Sequence, residues 1–475
     1  MKSVQGSQPK ELKRSMESRH LFMLSIGGVI GTGLFLGSGY AIGEAGPVGA
    51  ITAYLVGGLL MYMVMVCLGE LSVVMPVSGS FQAHAERFIG PASGFMIGWT
   101  YWLSWAIYVG LEFIAASLLM ARWFPNVPVW VWCTVFALLL FGINALTIRS
   151  FAETEYWFSA IKVIAVLFFI VIGGAAVFGL VPIKGQSAPL FSNFIGDGLF
   201  PTGLIGVFIS MMTVVYAFMG SEIMGVAAGE TEDPEKSIPR AIRSIVIRIL
   251  IFYVLATFVL SAIVPWKKAG ILESPFVTVF DMIGIPYAAD IMNFVILTAI
   301  LSVGNTGLFA CTRILFSLSQ SGQAPRSFGK VNKRGIPMNA LLVTLVFALL
   351  SLLTSVMAEE TLFVVLLAIS GVGGLVTWMA IAFAQYKFRK QYIASGGKLE
   401  DLKFKVPFFP LVPIGCLIMC VGIVVFTAFD PTQRTSLYIG FGFIVACYVF
   451  YYFKFTRKKI DATILTNGQP NKTVK

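Results

Sequence analysis

Five of the eleven residues from Gly27 to Gly37 (Gly27-Gly28-Val29-Ile30-Gly31-Thr32-Gly33-Leu34-Phe35-Leu36-Gly37) are glycine, in the middle of a long apolar run. Glycine loosens a helix and gives a neighbour little to pack against. A segment that crosses a bilayer tolerates freed N–H and C=O groups only where they face protein or a water-filled cavity. Gly31-Thr32-Gly33 therefore reads as a built break in a spanning helix, with bare main chain that holds something small and polar.

Composition supplies the bilayer. The 475 residues are 57% hydrophobic and only 12% charged, against about 25% charged in a soluble domain, so the chain is an all-α polytopic membrane protein. No short cleavable leader is visible, since residues 1–19 are polar and basic and the apolar run from His20 continues as a span. A helix needs about 20 apolar residues to cross. About twelve spans follow, at roughly 20–42, 47–75, 92–121, 127–147, 154–180, 199–227, 239–264, 286–319, 337–357, 361–386, 406–428 and 434–454. The side that receives both tails and every second loop carries 26 Lys and Arg, and the other side carries 5. That asymmetry predicts a cell-membrane protein with both termini cytoplasmic, and it explains the net charge of +11 without nucleic acid.

Segment six repeats the anomaly of segment one. Val214-Val215-Tyr216-Ala217-Phe218-Met219-Gly220-Ser221-Glu222-Ile223-Met224-Gly225 places glycines and a carboxylate in mid-membrane. Segments one and six each open a group of five, and an odd number of spans inverts the second group relative to the first. Paired broken helices in inverted halves point to a transporter's site near the bilayer midplane. The organisation expected is a cytoplasmic tail (1–19), a first repeat (20–180), a second repeat (199–386), two further helices (406–454) and a disordered tail (460–475).

An α-amino acid brings a carboxylate and an ammonium. The half-helix after Gly31 offers N–H groups and a positive dipole end for the carboxylate, with the Thr32 hydroxyl beside them. The half-helices ending near Val29-Ile30 and Phe218-Met219 offer carbonyls for the ammonium. The alternative is glycine-mediated helix packing, which Gly27, Gly31 and Gly33 can serve alone. Glu222 costs about 2.5–3.5 kcal/mol at helix centre. It either holds its break open by accepting backbone N–H groups, or protonates during transport, or does both. Lys162 either stands where a coupling cation would sit or snorkels to the surface. Glu112 lines the pocket or is a paired scaffold charge. Arg313 and Glu70 are a candidate inner-gate ion pair, Tyr216 and Phe218 a candidate aromatic lid, and Ser302, Asn305, Thr306 and Ser370 candidate wall groups.

Six scattered cysteines, none in a CxxC pair, and the two histidines His20 and His84 suggest no disulfide framework, metal site or cofactor. A membrane enzyme would need a nucleophile–base or metal cluster, and none is visible.

With Leu12 to His20, Gly27 to Gly39, Ala45-Gly46-Pro47, Leu68-Gly69-Glu70-Leu71, Pro76 to Phe81, Gly98 to Trp102, Glu153 to Lys162, Tyr216 to Glu230 and Asn305 to Ser317 in view, the chain resembles the bacterial amino-acid transporter family. That family belongs to the amino acid–polyamine–organocation (APC) superfamily, and the likeness runs from about Leu12 to Lys459. It implies a 5+5 inverted-repeat core with broken helices one and six, two extra helices, and proton-driven amino-acid uptake by alternating access. It implies that Val29, Thr32, Gly33, Phe218 and Met219 hold the substrate's α-groups, that Tyr216 forms an aromatic gate, and that Lys162 replaces a sodium ion. Its overall look is similar to the arginine/ornithine and histidine permeases of the family, which favours a basic substrate slightly. An exchanger of the same fold is the alternative, with a membrane enzyme the rival from another class.

Overall fold

The computed structural model describes residues 16–456 apart from Ser78, Gln186, 270–273, 351–358, Asp430 and Thr432. The expectation for the tail at 460–475, and the start of the family-like stretch at Leu12, lie outside these residues. Among the described residues the regular structure is helical, with one isolated β-bridge between Met16 and Thr231.

Segment one is two pieces, α1 (Ser18–Gly27) and α2 (Thr32–Phe35), and the chain runs on into α3 (Gly37–Val74). Within α3, Gly46 takes φ +72 and Pro47 follows it. A positive φ suits glycine, and proline has no N–H to continue a helix, so the chain turns there from segment one into segment two, where the sequence places the boundary. A short α4 (Ser80–Phe88) precedes α5 (Pro91–Ala121), α6 (Val129–Asn144) and α7 (Ile148–Val177). After α8 (Ser192–Ile195), segment six is again two pieces, α9 (Gly203–Phe218) and α10 (Ile223–Ala227).

Segment seven comprises α11 (Pro234–Arg243), α12 (Ile245–Arg248), a π-helical stretch (Ile249–Leu255) and α13 (Ala256–Ile263). Then come α14 (Pro275–Ile283), α15 (Ala288–Gln320), α16 (Met338–Leu350), α17 (Glu359–Ala394), α18 (Leu411–Thr427) and α19 (Arg434–Tyr451). Among the described residues, 8 helices are long and apolar enough to cross a membrane, one of them spanning the Gly46 turn, and 129–144, 338–350 and 411–427 are shorter apolar helices. With the broken first segment these make twelve apolar segments among the described residues, and the end of the predicted span 337–357 lies outside them.

The two broken segments lie at the centre. The α3 helix packs along α9, and α5 runs along α15. The lipid-facing helices show why apolarity alone does not mark the core. Ile164, Val171, Leu138 and Phe441 are exposed, whereas Lys162, Glu112, Glu222 and Arg313 are buried. In a bilayer, apolar side chains have no reason to turn inward, so polar groups and small residues draw the helices together.

The predicted Arg313–Glu70 pair does not form. Arg313 pairs with Glu230 at 2.8 Å and stacks over Phe309 at 3.9 Å. Glu70 pairs with Arg389, and also accepts from Gln385 at 3.2 Å and from the Val406 N–H at 2.6 Å. Both carboxylates had a nearer cation that spacing along single helices does not reveal. The Glu230 carbonyl also accepts from the Met16 N–H at 3.1 Å, tying the start of segment one to the end of segment six.

Removing one partner of a buried pair strands a charge and costs about 3–5 kcal/mol. Arg313→Met alone is expected to lower the unfolding free energy by about that much, whereas Arg313→Met with Glu230→Leu should recover most of the loss. Denaturant unfolding in detergent checks this. Additive losses would show that the two charges do not depend on each other.

Candidate substrate site between two broken helices

The breaks meet through their main chains. Gly220 takes φ +102, and a Cβ built on it would lie 2.1 Å from the Gly28 carbonyl oxygen. A Cβ on Gly33 would lie 2.4 Å from Cα of Ala217. Only hydrogen fits at either place, so these glycines let the two interrupted segments touch.

Breaking the helices frees backbone groups that buried chain must satisfy. Among the described residues, the N–H groups of Ile30, Gly31 and Gly33 make no main-chain hydrogen bond. On the carbonyl side, protein donors have already reached several freed oxygens. Lys162 donates its ammonium to the Gly27 carbonyl, Arg248 donates to the Ser25 carbonyl, and the Tyr253 hydroxyl reaches the Val29 carbonyl at 2.9 Å. Two cations at the negative end of α1 are what a helix C-terminus favours.

Lys162 is 0% exposed, so it does not snorkel. Its ammonium lies 3.8 Å from Glu155, whose carboxylate accepts from Ser302 and from Asn305 at 3.4 Å. Asn305 in turn accepts from Asn144 at 2.7 Å. Ser302 and Asn305 thus serve the Lys162–Glu155 network that joins α6, α7 and α15. Thr306 lies buried with its hydroxyl unpartnered, and Ser370 donates to the Ser104 carbonyl at 3.1 Å.

Glu222 stands across the second break. Its two oxygens each accept from the Gly220 N–H at 3.2 Å, one also from the Tyr101 hydroxyl at 3.1 Å, the other from the Trp378 indole at 3.4 Å. A carboxylate that accepts from a backbone N–H two residues earlier ties the turn to its own side chain. Met219 is extended (φ −59, ψ 145) and ends α9.

Glu112 faces the first break. Thr32 donates its hydroxyl to one Glu112 oxygen at 2.6 Å, and the other oxygen is buried without a partner. The Thr32 hydroxyl, expected beside a substrate carboxylate, is therefore turned toward Glu112. Tyr216 and Phe218 do not form one lid. Two residues apart on a helix, they point in nearly opposite directions. Tyr216 packs edge-on against Tyr108 at 4.4 Å, while Phe218 packs against Tyr253 at 4.5 Å and Tyr54 at 6.1 Å. A small cavity of about 20 Å³ is lined by residues of both breaks and of segment seven, among them Val29, Ile30, Ser221, Arg248 and Tyr253.

Tyr253, Trp378 and Arg248 escape a reading by motif, and Tyr101, although it lies in the Gly98 to Trp102 motif, is not marked there as a partner of Glu222. Arg248 is visible as a charge inside a span, but its target is a carbonyl more than two hundred residues away in sequence. Tyr253 and Trp378 sit in ordinary apolar runs, where nothing marks one ring from another.

Comparison with known proteins agrees with this architecture. The profile described as "Amino acid permease" matches residues 20–463. The chain is 56% identical to the amino-acid permease RocC of Bacillus subtilis over 96% of this chain and 97% of the relative. It is 54% identical to the amino-acid permease RocE of the same organism (93% and 95% covered), and 52% identical to its putative histidine permease (95% and 96%). A chain of membrane-spanning helices that matches this profile over nearly its whole length is a transporter and not an enzyme: it belongs to the amino acid permease family.

Proposed function

We propose that this permease takes up a basic amino acid across the cell membrane by proton symport and alternating access, with both termini cytoplasmic. Residues 20–180 and 199–386 form the two inverted halves, and 406–454 lies outside them. The free N–H groups at Ile30, Gly31 and Gly33 receive the α-carboxylate, and the carbonyls around Val29, Phe218 and Met219 receive the ammonium. Tyr216 and Glu222 shape the second break around them. The positive-inside distribution of basic residues supports the orientation.

The observation that carries the coupling is the buried Lys162 ammonium on the Gly27 carbonyl, at the mouth of the first break. While protonated it neutralises the negative end of α1 and links that half-helix to α7. Once deprotonated it loses the charge that makes the bond strong, and α1 is free to move. A proton taken up and released there can therefore drive the half-helix between two positions. Lys162→Ala should abolish accumulation of amino acid in liposomes under an inward pH gradient, with the protein still folded. Accumulation equal to wild type would contradict the coupling. Uptake only into liposomes preloaded with amino acid would make the protein an exchanger.

A basic substrate is favoured by Glu112, 1% exposed with one oxygen unpartnered beside Thr32. A cationic side chain would pair with that oxygen, and the putative histidine permease among the relatives is consistent with such a cargo. Glu112→Gln should raise KM for a cationic amino acid at least about tenfold, worth about 1.4 kcal/mol, while changing KM for a neutral one far less. Competition uptake with paired cationic and neutral amino acids checks this. An equal change for both would assign Glu112 to the scaffold.

A further inference from the structure

The Tyr253 hydroxyl is 2.9 Å from the Val29 carbonyl oxygen and 2.9 Å from the Ala217 carbonyl oxygen. One of these closes the first break and the other lies in the last turn before the second. A phenol has one proton. It can donate to only one of the two carbonyls at a time, so the other is left within reach of a donor that this side chain does not supply. Neither carbonyl can turn to water without leaving its helix end. Tyr253 itself is held on both sides, by Phe218 at 4.5 Å and Tyr54 at 5.6 Å between ring centres. It belongs to the π-helical stretch Ile249–Leu255, and it lines the cavity that both breaks share. A π-helical turn inside a longer helix frequently marks a functional position.

We propose that Tyr253 is a positioning residue for the transported amino acid. Its hydroxyl bridges the two broken helices and fills one of two carbonyls, so that the substrate's ammonium fills the other. Binding of the zwitterion then completes a set of three groups that the empty protein leaves one donor short, and both half-helices close on it together. This inference rests on the reading of the chain as an amino-acid permease and adds a residue from segment seven to its site.

The test uses the full chain in liposomes and in detergent. Tyr253→Phe keeps the ring and removes the bridge. It is expected to raise KM for the amino acid about tenfold with Vmax changed less than about twofold. It should also shrink the thermal stabilisation that saturating amino acid gives the purified protein. Tyr54→Phe is the control, because the Tyr54 hydroxyl is buried without a partner on the neighbouring ring, and it should leave KM unchanged within about twofold.

A merely structural Tyr253 would lower the melting temperature of Tyr253→Phe equally with and without amino acid and leave KM alone, and that result overturns the proposal. A second measurement needs no variant. With one carbonyl already filled by the hydroxyl, a single remaining acceptor predicts that the N-methyl amino acid competes within about tenfold of the parent and that the N-trimethyl form, which has no N–H, does not compete. Competition by the trimethyl form as strong as the parent's overturns the proposal as well. If wild-type protein takes up no amino acid at all, the permease reading itself fails, which is a different result from normal uptake with an indifferent Tyr253.

Discussion

Everything in this fold depends on main-chain groups set free inside an apolar bundle. A bilayer offers them no water, so each break in a spanning helix obliges the protein to supply partners or a cavity. Here the breaks at residues 28–31 and 219–222 are placed against each other, with Gly220 under the Gly28 carbonyl. The neighbouring helices send in the partners: Lys162 from α7, Arg248 and Tyr253 from segment seven, Tyr101 from α5 and Trp378 from α17. Buried polar residues elsewhere in the bundle would be a liability. Around the breaks they are what makes an interrupted helix possible.

The breaks are also the mechanical centre. The α1 half-helix is attached at its inner end through Lys162 and Arg248, and at its start through Met16 to the Glu230 carbonyl. Glu230 in turn is paired with Arg313 of α15. A change at any one of these attachments reaches the others through one short half-helix.

Much of this was legible in the sequence, and what was not has a physical reason. The breaks announce themselves because glycine and a mid-span carboxylate are costly in a membrane helix, and so Gly31-Thr32-Gly33 and Gly220-Ser221-Glu222 could be read directly. Segments one and two are separated by apolar length, and the Gly46-Pro47 turn falls between them. Partner choice was harder. Arg313 with Glu70 looked reasonable from depth alone, but Glu230 and Arg389 are the neighbours that tertiary packing supplies. Tyr216 and Phe218 are close in sequence, yet helical rotation sends them to different helices. Tyr253 was out of reach for a similar reason. Its role comes from two carbonyls on other segments, and nothing beside it in the chain records them.

The central claim is that the two interrupted segments together grip both charged ends of an amino acid with main-chain groups. An experimental structure of the purified protein with bound amino acid tests it most directly. The carboxylate is expected on the N–H groups of residues 30–33 and the ammonium on carbonyls of residues 29 and 217–219. An amino acid bound elsewhere, or segments one and six found as continuous helices, would contradict it.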